Sequence, residues 1–347
     1  MQTQRWEITY RELLKDILDG GQTTKAHKGA TKELIARSFI LSEPRDRCLL
    51  NQVRMFPIYY AVGHWLWIMG GKYDLPSIEY YSSKASKFSA DLRKLDGAYG
   101  YRLFGPGTKN QIPHLVSLIS DRGETRRAVA TVYDPDMDSY RVAVDGREDE
   151  IPCTIALQYL PRGNKLHAIT YMRSQNALDI LPYDVFIFTL LQEYVAASCS
   201  LQLGEYHHFA GSFHYYCKEE EFIRAIITDV TSPSVLMPEM SQGSQENDLK
   251  EVLKIEEQVR NYTLSQLAVP GKQQFNIRQF YENAVALSPF WCAIVDLLLA
   301  WASFKVASEK WLDKINERIP KPLDAYVRRS IELISKSKGR ALETYDV

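Results

Sequence analysis

Cys153 is the residue of this 347-residue chain best placed to do chemistry. Two runs rich in β-branched and aromatic residues, Cys153–Leu160 and Lys165–Arg173, flank Pro161-Arg162-Gly163-Asn164. That pattern predicts a β-hairpin. With Arg162–Asn164 as a three-residue loop, Pro161 faces Lys165. Counting outward sets Cys153 opposite Arg173 on one face of the sheet. A guanidinium beside a thiol favours the thiolate, the nucleophilic form. The bland alternative is a structural cysteine packed in a core. Asp184 follows the Leu181-Pro182-Tyr183 corner and heads an apolar run to about Ser198, a helix with that carboxylate as its cap. A last run, Gly204–Tyr216, holds His207, His208 and His214 with three tyrosines.

These elements come in a familiar order. Pro152-Cys153-Thr154 with Gln158, Arg173-Ser174, Leu181-Pro182-x-Asp184 and Gly211-x-x-His214-x-Tyr216 resemble the catalytic half of thymidylate synthase and of its relatives, the dCMP and CMP hydroxymethylases. The resemblance is dense over 151–216 and looser upstream. It implies an α+β fold with a thymidylate synthase-type sheet core, surrounding helices, and a homodimer joined through the sheet. It implies a pyrimidine nucleoside monophosphate as substrate. In that family the cysteine thiolate adds to C6, and C5 then attacks a one-carbon unit carried by 5,10-methylenetetrahydrofolate. Synthases finish by hydride transfer; hydroxymethylases finish by adding water.

The same resemblance assigns Cys153 as nucleophile and Gln158 to the substrate pocket. It gives Arg173 and Ser174 to the phosphate, and His214 and Tyr216 to the sugar hydroxyls. Gly97-Ala98-Tyr99-Gly100 looks like the family's Tyr-Gly wall segment and makes Tyr99 a catalytic candidate. Arg126-Arg127 resemble the arginine pair that reaches the partner's nucleotide phosphate, where a guanidinium fork supplies charge and geometry. Arg47 resembles the arginine of the phosphate-gripping loop. The plainer readings are a basic strand edge and a solvated arginine.

Three positions depart from the family pattern. Asp184 stands where thymidylate synthases have asparagine. An amide accepts from uracil N3–H and donates to O4. A carboxyl accepts from cytosine N4–H and, when protonated, donates to N3. An unpaired buried partner costs roughly 1–3 kcal/mol, so the change favours cytosine about tenfold or more. His64, on an aromatic-rich helix in 51–71, stands at the position of the catalytic glutamate. It is either an acid–base group near neutral pH or a packed histidine. Glu43 and Asp46, close in sequence to the nucleotide loop, are the carboxylate candidates to replace that glutamate. Asn176 replaces an aspartate that contacts the pterin. Asp184 and Cys153 make one-carbon transfer to CMP or dCMP the leading expectation, and His64 and Asn176 motivate its competitors. Folate-independent C5 chemistry and a degenerate nucleotide-binding protein are the alternatives.

Bulk properties frame this reading. Net charge is −1 and 45% of residues are hydrophobic. That composition supports a large core and argues against nucleic acid or an anionic membrane as partner. Five cysteines (Cys48, Cys153, Cys199, Cys217, Cys292) match no zinc or disulfide pattern, as expected of a reduced cytoplasmic protein. The polar first residues do not read as a signal peptide. The longest apolar run, Phe290–Phe304, contains Asp296 and is short for a bilayer. Along the chain, 22–31 reads as a loop, 33–41 as a strand, 113–119 as a helix, and 218–227 as a helix. A linker over 231–247 separates a catalytic unit, 1–235, from a helical extension, 236–347. Four helices are expected there: 248–266, 276–287, 289–306 and 322–337.

Overall fold

The computed structural model describes residues 5–26, 29–51, 53–54, 56–89, 92–140, 143–144, 151–229, 235–269, 275–284, 286–319, 321, 323–324, 327–328 and 331. In chain order the elements are α1 (Trp6–Gly20), β1 (Gln22–Ala26), β2 (Gly29–Leu41), α2 (Ile58–Met69), α3 (Leu75–Glu79), α4 (Tyr99–Phe104), α5 (Gln111–Arg122), β3 (Ala128–Thr131), β4 (Thr154–Arg162), β5 (Lys165–Asn176), α6 (Leu181–Ser198) and β6 (Gln202–Tyr216). They continue with α7 (Glu220–Thr228), α8 (Glu246–Ala268), α9 (Arg278–Ala284), α10 (Pro289–Lys305) and α11 (Glu309–Asn316). The fold is α+β, as expected.

One sheet runs in the order β1-β2-β6-β5-β4-β3. Its neighbours are antiparallel except β5 and β6, which are parallel. A parallel pair needs a crossover, and α6 supplies it. All residues of α6 from Leu181 to Ala197 are buried. A helix that is apolar all round belongs in a core rather than on a surface. It starts at Leu181, with Pro182 in the first turn, where the absent N–H had no intrahelical partner. The Asp184 N–H donates to Ile180 O at 3.1 Å, so Asp184 sits inside the first turn. The expected capping role is corrected: its carboxylate points into the core instead.

The β4–β5 hairpin corrects one expectation and keeps its consequence. Arg162 pairs with Lys165 and Pro161 with Leu166, so the loop is the two residues Gly163-Asn164. Gly163, at φ 55°, takes the positive-φ position that such a turn demands. A bulge between Thr154 and Ala156 then shifts the register back by one. The Arg173 N–H donates to Cys153 O at 2.8 Å. Cys153 therefore faces Arg173 by a different route.

Other boundaries moved. Residues 22–26 form β1 rather than a loop, because the β2 edge gives their backbone a partner. The first aromatic helix starts only at Ile58, after Pro57. The described part of the linker, 235–245, is irregular but anchored. Val235, Met237 and Met240 are buried, and Met240 N–H donates to Glu193 Oε1 at 3.2 Å. Helix α10 docks on α2: Trp65 stacks on Trp291 at 5.6 Å and Tyr59 on Trp301 at 4.8 Å. The helix α9 is shorter than expected, α11 was not foreseen, and most of 322–337 lies outside the described residues. Among the described residues no helix is long and apolar enough to cross a membrane.

One sheet face stays open within the chain. The registers align Val129, Gln158, Ile169, His207 and Ile40 in a single cross-strand row. Ile35, Ile40, Val129, Ile155 and Phe209 are exposed.

Candidate active site

The site grows from the ends of β4, β5 and β6. Cys153 precedes β4 and is half-buried. The Arg173 guanidinium donates to Pro152 O and Ile151 O, both at 2.9 Å, fixing the backbone that carries the thiol. Thr154 donates to the Tyr99 phenol oxygen from its N–H, at 3.3 Å, and from its hydroxyl, at 3.1 Å. Burial raises the Tyr99 phenol, and the charges of Asp184 and Cys153 add to the rise. Tyr99 is thus within electrostatic reach of both groups. The Tyr216 phenol is also raised, by burial first, with Cys153 among the charges it feels. Tyr216 meets His214 edge to face at 6.1 Å, and His214 Nδ1 lies 3.5 Å from the Ser174 hydroxyl. The structure therefore gathers Cys153, Tyr99, Arg173, Ser174, Asp184, His214 and Tyr216 at one end of the sheet.

Asp184 is 7% exposed, and burial raises its carboxyl to about 7, with the Gln175 N–H opposing part of that rise. Gln175 Nε2 donates to Asp184 Oδ2 at 2.9 Å. Gln175 Oε1 faces His208 Nε2 at 3.0 Å, and His208 Nδ1 lies 2.9 Å from the Tyr206 phenol. The phenol in turn donates to Thr170 Oγ1 at 3.0 Å. Burial pulls His208 down to about 3, so it is neutral and carries one ring proton. Its Nε2 contact holds the Gln175 oxygen, and the Gln175 N–H on the other side of the amide faces Asp184. Sequence reasoning did not single out Gln175 or Tyr206 and gave His208 no role. The i, i+2 spacing of Tyr206 and His208, which puts both on one strand face, was the available signal.

The turn before α6 is held from outside. Arg54 is buried, and it donates to Leu178 O and Asp179 O, both at 3.2 Å. Asn176 Oδ1 accepts from Leu178 N–H at 3.0 Å and Asp179 N–H at 2.6 Å. The turn thus engages the acceptor of the amide expected to contact a cofactor and leaves its N–H2 group for that contact.

Two site expectations are corrected. Arg47 is wholly buried, pairs with Glu193, and donates to Pro44 O at 3.0 Å. A guanidinium enclosed that way does not reach a phosphate in solvent. Gln158 Nε2 donates to Arg126 O at 3.1 Å, and its Oε1 accepts from the Tyr171 phenol at 3.0 Å. It braces the open face instead of lining the Cys153 cluster. His64 lies 5.6 Å from the Tyr60 ring and 5.9 Å from Trp67. Burial pulls it down to about 4, and its Nδ1 is buried without a hydrogen-bond partner among the described residues. It is a neutral imidazole near pH 7, packed among aromatic rings as in the plainer of the two expectations. Arg126 and Arg127 are exposed beside β3.

The raised Asp184 carboxyl has a stability consequence. Its folded value lies above its ordinary 3.8, so folding favours the neutral form. That contribution is complete below about pH 4 and is lost as pH rises toward about 7. Asp184→Asn cannot ionise and is expected to remove this decline. The gain over wild type near pH 8 is as much as about 4 kcal/mol. Melting temperatures of both proteins across this range check it; parallel curves would mean an ordinary, solvated carboxylate.

Residues 8–276 match the family model for thymidylate synthase. A deoxyuridylate hydroxymethyltransferase of Delftia phage PhiW-14 is 26% identical over 217 residues, 60% of this chain and 59% of the relative. Bacillus phage SP01 has a protein of the same name that is 22% identical over 269 residues, 74% of this chain and 68% of the relative. A putative thymidylate synthase of Methanocaldococcus jannaschii is 26% identical over 212 residues, 60% of this chain and 86% of the relative. The chain spans about three-fifths of the Delftia phage protein, and 48% of a like-named protein from Pseudomonas phage M6. The family match runs unbroken through the Cys153 hairpin, α6 and β6, and by that continuous span the chain belongs to the thymidylate synthase family.

Proposed function

We infer that this protein transfers a one-carbon unit at the formaldehyde level to C5 of a cytidine monophosphate, CMP or dCMP, giving the 5-hydroxymethyl product. The observation that carries this reading is the buried Asp184 carboxyl, raised to about 7, whose charge acts on the same Tyr99 phenol as that of Cys153. In this reading the Cys153 thiolate forms a bond to C6, and the electron pair displaced from C5=C6 makes C5 nucleophilic. A protonated Asp184 donates to N3 and accepts from N4–H. Arg173 and Ser174 sit at the phosphate, His214 and Tyr216 at the ribose. The Tyr99 phenol, held by Thr154, is positioned to pass a proton near C5.

The family's one-carbon carrier is methylenetetrahydrofolate, which supplies the formaldehyde-level carbon when bound. The residues here fit it poorly at Asn176, whose oxygen is engaged by two backbone N–H groups, which leaves only the N–H2 group. That observation favours a second reading, C5 chemistry on the same adduct without folate. The phage relatives are named for deoxyuridylate, so uracil is the competing base.

The test incubates the protein with CMP, dCMP, UMP or dUMP, with and without methylenetetrahydrofolate, and reads the mass of added CH2O and tritium release from C5. A CH2O adduct on a cytidine nucleotide with folate supports the first reading. Tritium release without folate supports the second. Product from uracil nucleotides alone removes the cytosine assignment.

A homodimer through the open sheet face belongs to the same proposal. Exposed Ile35, Ile40, Val129, Ile155 and Phe209 give that face an apolar surface that a second copy covers. Arg126 and Arg127 would then reach the partner's nucleotide. The double variant Arg126→Ala, Arg127→Ala is expected to raise KM for the nucleotide about 10–100-fold with kcat little changed. An unchanged KM in steady-state kinetics would assign both arginines to the solvent.

A further inference from the structure

We propose that His167, Glu205 and His207 bind one divalent transition-metal ion of the zinc class. The cluster is remote from the chemistry. His167 lies six residues along β5 from Arg173, roughly 20 Å at the usual strand rise.

The strands build it. Glu205 and His207 are two residues apart on β6 and so share a face. A register shift between Leu166 and Ala168 brings His167 of β5 beside Gly204 and Glu205. Gly204 is required there, because a Cβ at that position would lie 2.8 Å from Leu166 O and 3.0 Å from His167 Cγ. One ligand atom from each of the three residues lies within 4.8 Å of the other two. Glu205 Oε2 is 3.4 Å from His207 Nε2 and 3.9 Å from His167 Nδ1. A tetrahedral ion with metal–nitrogen bonds of about 2.0–2.1 Å needs ligand atoms about 3.3 Å apart. Small side-chain rotations close the remaining distance.

The chemistry of the set selects the ion. Two imidazoles and one carboxylate suit zinc, cobalt, nickel or iron and not magnesium or calcium, which want oxygen ligands. Burial, the leading cause, lowers His167 from its ordinary range, and Glu205 opposes that shift. His167 Nδ1 now accepts the Glu205 N–H at 3.2 Å, a long hydrogen bond that a metal–nitrogen bond would replace. Arg162 and Lys165 also act on His167 and oppose a cation, which makes the Glu205 carboxylate necessary. All three groups retain contact with solvent, with side-chain exposures of 26%, 48% and 33% in sequence order. Three protein ligands leave a coordination position for water or for a group presented by another chain on the open face.

The test strips full-length protein with a chelator, then titrates it with Zn2+ by calorimetry and with Co2+ by visible absorption. The expected result is about one equivalent per chain, not displaced by excess Mg2+. Affinity should fall at least about tenfold in His167→Ala, His207→Ala and Glu205→Gln, each checked for folding by circular dichroism, and persist in Cys153→Ala. Equal binding by the His variants and wild type, or binding lost in Cys153→Ala, would overturn the site. No binding by folded wild-type protein would do so as well.

Discussion

Cys153→Ala is expected to lower product formation by about 10⁴-fold or more while leaving nucleotide affinity within a few-fold. Alanine has no lone pair to add to C6, and removing a nucleophile from a covalent mechanism leaves only the contribution of binding and orientation. The binding groups do not depend on the thiol. Arg173 holds the 151 and 152 carbonyls through its side chain and Cys153 O through its N–H, contacts that alanine preserves. The side chain is half-buried, so the cavity left is small. Turnover assays beside calorimetric titration of CMP separate the two effects. Equal C5 tritium release by the variant and wild type would end the covalent reading; loss of binding together with turnover would make Cys153 structural.

Asp184→Asn is expected to move the ratio of kcat/KM for cytidine over uridine monophosphate by about 10²–10⁴ toward uracil. Two hydrogen bonds change sense, each worth roughly 1–3 kcal/mol when a buried partner is left unpaired. The Gln175 N–H selects the arrangement, since it needs an acceptor at the position of Asp184 Oδ2. Consider a pyrimidine whose N3 meets that oxygen. Protonated Asp184 donates from Oδ2 to N3, accepts Gln175 on its other lone pair, and accepts N4–H at Oδ1. Asparagine, held with its carbonyl at the same place, accepts N3–H of uracil and donates to O4. The wild-type carboxyl must carry a proton to serve cytosine. Its kcat/KM for the cytidine nucleotide should therefore fall as pH rises through about 7, the value to which burial brings Asp184. A wild-type preference for uracil, or an unchanged ratio in the variant, would show that Asp184 does not read the base.

Short-range signals in the chain were enough for the family, the hairpin, the α6–β6 succession and the Cys153–Arg173 pairing. Alternation, turn formers and motif spacing are local properties, and a strand or turn answers to its own few residues. Even so, the hairpin count reached its pairing through two offsetting features, a shorter loop and a bulge at Ile155.

Tertiary structure decided the electrostatics. Arg47 looked like a phosphate ligand, yet its partner is Glu193, 146 residues away in α6. Asn176 looked like a pterin contact and is a turn brace. His64 could be read as an acid–base group or as packing, and its surroundings keep it unprotonated. Asp184 became a group that titrates near 7 because α6 is buried all round, and Gln175 and His208 became its orienting pair because β5 and β6 meet in parallel beneath it. A side chain's type is written in the sequence. Its charge state and bonding partner depend on how much water the rest of the fold removes and on which distant residue arrives beside it.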